Sequence, residues 1–307
     1  MSKWIPERPT YRRERLIVGY PLLGVFAILF LCSVLFDLLD LPENAYFLKL
    51  LPIAAILLPV TLFWTVRGAA YTRVMRLRAP RAAHVPFLLS ALLVLISGGL
   101  LLSMLFGGTE TLGNSAVAFE KASPNGPLDT ILALLVLAIL PAITEELLFR
   151  GIAIAEYERR GSIRAVLMSA LTFSLCHFDL RNLAVYFFSG VILALVLFAT
   201  DSLFATMAIH LCYNVFSLFG QQYLNAFYRI TGGPELFVFS LLVILLLFLV
   251  IFFGTAARIY RLKDLGGRRE PRRNVPTDVQ FYTTLDALKD PPILLCFILS
   301  IAGFILL

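Results

Sequence analysis

Charge is scarce in this sequence. Of its 307 residues only 15% are Asp, Glu, Lys or Arg, while 59% are hydrophobic; a soluble globular chain carries about 25% charged residues. That shortage excludes an ordinary water-soluble domain. Cysteine occurs four times, with no C-x-x-C spacing. Cys32, Cys176, Cys212 and Cys296 all fall inside apolar segments, so they are expected to be small buried hydrophobes, with neither a disulfide framework nor a thiolate metal site. No A-x-A cleavage site follows the first apolar run, so the basic arm with Lys3, Arg8, Arg12, Arg13 and Arg15 leads into an uncleaved first span. Internal repeats and low-complexity linkers are also lacking. The net charge of +6 would suit nucleic acid. The basic residues, however, sit at the edges of apolar runs, where the positive-inside rule accounts for them without a nucleic-acid partner.

Long apolar stretches are what the chain has in abundance. They run at about 16–36, 46–66, 85–106, 128–158, 162–178, 182–200, 203–219, 235–257 and 292–307, most of them near the roughly 20 residues that cross a bilayer as a helix. The expected fold class is all-α: a polytopic helical membrane protein with eight or nine transmembrane helices, the short last run deciding between the two. Arginine gathers in alternate connections: the N-terminal arm, the loop with Arg67, Arg73, Arg76, Arg78 and Arg81, the segment Glu156 to Arg164, and the stretch Arg258 to Arg273. The connections 37–45, 107–127, 179–181 and 220–234 are nearly free of Lys and Arg. This alternation places the N-terminus in the cytoplasm. With no secretory or organellar targeting segment, it suits the plasma membrane of a prokaryote.

Three regions follow from these runs: an N-terminal three-helix membrane region with an external loop (1–127), a four-helix region (128–219), and C-terminal membrane helices with a basic cytoplasmic loop (220–307). Loop 107–127 is rich in Gly, Ser and Asn and is expected to be external and mobile. Segment 258–291 is expected on the cytoplasmic surface, either as a solvated linker or in contact with anionic lipid headgroups.

Against this apolar background one cluster stands out. Glu145, Glu146 and Arg150 follow directly on the run Ile131 to Ile143. Each charge in hydrocarbon costs several kcal/mol, so such a cluster points to function. Phe173-x-x-x-His177 and His210-x-x-x-Asn214 lie on later runs. Residues four apart share a helix face, so Glu146 and Arg150 are expected to pair, leaving Glu145, about 100° around the helix, free for chemistry. Glu145 lies 161 − 145 = 16 residues before Gly161, and His177 lies 177 − 161 = 16 after it. At about 1.5 Å per residue both stand about 24 Å from a turn at Arg160-Gly161, opposite each other. A second turn near Asp201 puts His210 about 13 Å along its own run. Extension of the fourth helix beyond the membrane surface at Glu156 to Arg160 brings His210 to a comparable depth, in one pocket open to the cytoplasmic side.

Two chemistries fit such a pocket. A carboxylate beside a histidine can hold a water and take its proton during attack on a carbonyl, with the other histidine and the asparagine donating to the oxyanion. Alternatively, Glu145, His177 and His210 match the ligand set of a catalytic zinc with an open position. Taken singly, a buried Glu–Arg pair or a lone histidine reads as packing. Phe173 reads as core and a wall of the pocket, and His84, the third histidine, as a surface residue of a basic loop.

The ordered trio E-E-x-x-x-R, F-x-x-x-H and H-x-x-x-N resembles the CPBP family, the CAAX proteases and bacteriocin-processing enzymes, also called Abi-type or glutamic intramembrane proteases. The resemblance covers about 128–219, which it marks as a four-helix catalytic core. It implies an integral-membrane endopeptidase acting on membrane-associated proteins or peptides. By motif position, Glu145 is similar to the family's water-activating glutamate and His177 to its partner on the water. His210 and Asn214 are similar to the oxyanion-stabilising pair, and Glu146 and Arg150 to supporting positions. The family's better-regarded mechanism uses no metal, which favours no cofactor over zinc. Two readings compete with an endopeptidase: a non-proteolytic membrane scaffold or immunity protein, and a proton-coupled transporter relaying protons through the glutamates and histidines. Against transport, the two halves of the chain show no corresponding interrupted helices. Substrate identity and oligomeric state have no signal in the sequence.

Overall fold

The computed structural model describes residues 17–40, 48, 50–68, 71–107, 126–265 and 276–306. The basic N-terminal arm, nearly all of loop 107–127 and the glycine- and arginine-rich stretch 266–273 lie outside the described residues. Among those described, the regular structure is helical and contains no strand. The principal helices are α1 Gly19–Leu38, α2 Leu50–Arg67, α3 Val85–Gly107, α4 Pro127–Arg160, α5 Ser162–Leu175, α6 Leu183–Thr200, α7 Leu203–Phe219, α8 Gln221–Thr231, α9 Pro234–Leu265, α10 Thr277–Leu288 and α11 Pro291–Leu306.

Each apolar run of the sequence corresponds to one of these helices. Six are long and apolar enough to cross a membrane, or up to eight if each of two bent pairs is one span. The bent pairs are α7 with α8, at 69°, and α10 with α11, at 66°. Both lie in the C-terminal half, so they form no matched pair of interrupted helices in corresponding halves. The chain is a polytopic, all-α membrane protein.

Helix α6 is the centre of the packing. One side joins a buried cluster that includes Phe26 of α1, Phe63 of α2, Phe149 of α4, Phe173 of α5 and Cys296 of α11. The other side joins a second cluster with Phe87 of α3, Ile209 of α7 and Phe252 of α9. A helix that is apolar all round belongs in such a place. Helix α9 instead turns Leu242, Leu246 and Val250 outward, as a lipid-facing helix does.

The connections carrying Arg67, Arg76 and Arg78 meet Glu156 and Asp201 at one end of the bundle, where they find counter-ions. Arg67 Nη2 lies 2.8 Å from Glu156 Oε2, and the Tyr71 hydroxyl donates to Glu156 Oε1 at 3.2 Å. Burial, and then the Glu156 carboxylate, pushes the Tyr71 phenol above its ordinary range. Arg76 and Arg78 both reach Asp201, at 3.0 and 2.8 Å, while the Ser202 hydroxyl donates to the Arg78 carbonyl. The turns at Gly161 and Asp201 fall where the ends of the apolar runs placed them; both residues have positive φ, 122° and 55°.

Three expectations change. His84 is buried, its Nδ1 accepting from the Arg81 backbone N–H at 3.4 Å, because the loop folds back as a helical turn leading into α3. Cys212 is exposed on α7, whereas the other three cysteines are buried. Segment 258–291 is not a solvated linker throughout. Helix α9 continues to Leu265, and α10 buries Gln280, Thr283, Thr284 and Ala287. Gln280 Oε1 accepts from the Ile163 N–H at 3.0 Å, capping the start of α5.

Candidate active site

Helix α4 carries the carboxylates and is not regular. Its α-helical turns are interrupted by wider π-type turns at Leu135–Ile139 and Glu146–Ala153. Pro141 explains the first: it has no N–H to donate, and its ring crowds the carbonyl one turn earlier. The second begins at Glu146 itself. π-type turns gather at functional sites because they re-aim side chains, and no sequence period announced them.

Glu146 and Arg150 are paired, with Nη1 2.9 Å from Oε1 and both side chains fully buried. Arg150 also donates through Nη2 to the Gly190 carbonyl at 3.3 Å, and its Cζ lies 4.4 Å from the centre of the Phe173 ring. The guanidinium is therefore held by α4, α5 and α6 together. Glu145 differs: its side chain is 17% exposed, and His210 Nε2 lies 3.8 Å from its Oε2. His210 Nδ1 lies 2.9 Å from Glu146 Oε1. One imidazole thus stands between the two glutamates. The sequence expectation put His210 in one pocket with both carboxylates, and the crossing of α4 and α7 decides that it touches both.

His177 lies just past the end of α5, in the turn that follows Cys176. Its Nδ1 is 2.8 Å from the Phe173 carbonyl. That carbonyl can only accept, so Nδ1 carries the proton and Nε2 presents a lone pair. The ring stacks on Tyr186 of α6, centroids 3.9 Å apart and 14° from parallel. Tyr186 belongs to no motif of the sequence, and only the packing of α5 on α6 reveals it. Phe173 is buried between the histidines, 4.9 Å from the ring of His177 and 5.9 Å from that of His210. Asn214 Nδ2 approaches the Ala138 carbonyl at 3.5 Å, at the first widened turn of α4. Among the described residues no hydrogen bond joins Glu145 to His177.

A catalytic zinc would need three ligands converging on one point. Among the described residues no group of three or more His, Cys, Asp or Glu side chains is placed to hold a metal ion. The trio Glu145, His177 and His210 does not fit a metal site in this arrangement.

Comparison with known families singles out the same part of the chain. Residues 127–216 match the family model described as type II CAAX prenyl endopeptidase Rce1-like. No curated protein and no solved structure gives a significant match. The matched segment starts with α4, ends within α7 and contains every residue of the trio. Over this segment, less than a third of its length, the chain is similar to the Rce1-like type II CAAX prenyl endopeptidases.

Proposed function

We propose that the chain is a CAAX-protease-like intramembrane endopeptidase of the glutamic type, hydrolysing a peptide bond of a membrane-associated protein or peptide. The observation that carries this reading is the unequal environment of the two adjacent carboxylates. Glu146 is buried and neutralised by Arg150, whereas Glu145 is partly exposed and, among the described residues, has no arginine within ion-pair distance. Environments that set two neighbouring carboxylates apart divide their roles.

In the proposed reaction a water donates one hydrogen to Glu145 and the other to the lone pair of His177 Nε2. Glu145 takes the proton as the water oxygen bonds to the scissile carbonyl carbon. Asn214 and the doubly protonated form of His210 donate to the oxyanion. The proton on Glu145 then passes to the departing amine as the C–N bond breaks, leaving a carboxylic acid and an amine, which exchange a proton to become carboxylate and ammonium. No step runs through a metal. Glu146, Arg150 and Phe173 support the site by holding His210 and closing its walls. We place the basic end of the bundle, and the opening of the site, on the cytoplasmic side of a prokaryotic plasma membrane, with the N-terminus inside and anionic headgroups beside the arginines.

The test compares membrane and released proteins from cells making the native chain with those making Glu145→Gln at equal abundance. A precursor that accumulates only in the variant, with a cut site mapping near the membrane, supports the reading and names the substrate. Matching profiles refute it for the proteins present and favour a scaffold. Altered ion flux without a cleaved product favours transport.

A further inference from the structure

We infer that the C-terminal helix α11, together with α1, is a positioning element for His177 that acts through Phe178. This rests on His177 belonging to the active site. His177 lies in a turn whose own backbone bonds are long: its N–H reaches the Ser174 carbonyl at 3.4 Å, and that of Phe178 reaches the Leu175 carbonyl at 3.4 Å. The turn needs outside support. Phe178 has φ 52°, a left-handed conformation that a bulky residue keeps only where its surroundings over-determine it.

Those surroundings are α1 and α11. The buried Phe178 ring meets Phe26 and Phe30 of α1 edge-on, at 6.1 and 5.8 Å. On the α11 side it lies against Gly303, where an added Cβ would stand 2.6 Å from Phe178 Cδ1 and 2.9 Å from its Cβ. Only glycine leaves room for the ring. One turn earlier, Ser300 is fully buried and its hydroxyl is shared between the Cys296 carbonyl of its own helix, at 2.9 Å, and the carbonyl of Leu175, the last residue of α5, at 3.1 Å. Helix α11 therefore grips the end of α5 twice, by a carbonyl and by a ring, on either side of His177. Phe26, Phe30, Ser300 and Gly303 all lie outside the family-matched segment 127–216.

The test is ring-15N histidine NMR on the full chain in detergent micelles. The chain has three histidines, so the Nδ1 resonance of His177, hydrogen-bonded to the Phe173 carbonyl, is assignable by substituting His84 and His210. In Gly303→Ala that resonance is expected to shift or vanish while that of His84 stays. Gly303→Ala combined with Phe178→Leu, which returns the space, is expected to restore it. Ile305→Ala, on the exposed side of α11, is expected to match the native chain. An unchanged His177 resonance in folded Gly303→Ala overturns the inference, as does a double variant no closer to native than the single one. Should Gly303→Ala fail to fold, Ser300→Ala carries the same test without added bulk, and an unchanged His177 signal there overturns it equally. With a substrate in hand, Gly303→Ala should lower kcat about tenfold or more with KM within about twofold, since misplacement by about 1 Å costs up to 10²-fold. The NMR result decides the positioning role even if the chain proves not to be a peptidase.

Discussion

Removing one member of the Glu146–Arg150 pair should be among the most damaging single changes in this protein, and removing both should hurt far less than the sum. Both side chains are fully buried, 2.9 Å apart. Breaking a buried pair from one side strands an uncompensated charge and costs about 3–5 kcal/mol. Glu146→Gln leaves the guanidinium stranded, and Arg150→Met leaves the carboxylate without its full counter-charge, with His210 2.9 Å away and the Thr206 hydroxyl beside it. Arg150→Met also gives up the Gly190 carbonyl contact and the stacking on Phe173, the latter worth about 0.5–2 kcal/mol. The double variant carries neither stranded charge. Its loss should therefore fall short of the sum by about 2 kcal/mol or more, within the range of coupling between contacting residues. Steric-trap unfolding in bicelles measures all four free energies directly. Additivity to within about 0.5 kcal/mol, the behaviour of independent sites, would refute the reasoning.

Three further outcomes are expected. Asn214→Ala should lower turnover on any identified substrate by about 10²–10³-fold, the usual loss of an oxyanion donor. Its melting temperature should hardly move, because the 3.5 Å contact to Ala138 is weak. Gly190→Ala should destabilise by about 1–3 kcal/mol in the same unfolding assay. An added Cβ there would stand 2.8 Å from Ala170 Cα, where α5 and α6 touch, and the displaced backbone would loosen the Arg150 contact. Tyr71→Phe should cost about 1.5 kcal/mol by removing the hydroxyl from Glu156; an unchanged melting curve would show that Arg67 and Arg159 suffice there.

The local content of this protein was legible in the sequence because it depends on short-range rules. Hydrocarbon admits only self-satisfied backbone, so each long apolar run had to be a helix. Four-residue spacing had to bring Arg150 to Glu146, and charges at the turns near Gly161 and Asp201 had to sit at the bundle's edge. Other features depend on which helix crosses which, and no period encodes that. The first widened turn of α4 comes from Pro141, and the second, beginning at Glu146, has no sequence period behind it. The place of His210 between two glutamates comes from the crossing of α7 on α4. His84, read as a surface residue, is buried because its loop folds onto the start of α3. The seat of Phe178 between α1 and α11 joins residues more than a hundred positions apart. The sequence by itself determined the helices, their membrane character and the pairing of Glu146 with Arg150; the tertiary structure alone decided the partners across helices, because side-chain contact there is set by crossing geometry rather than by spacing along the chain.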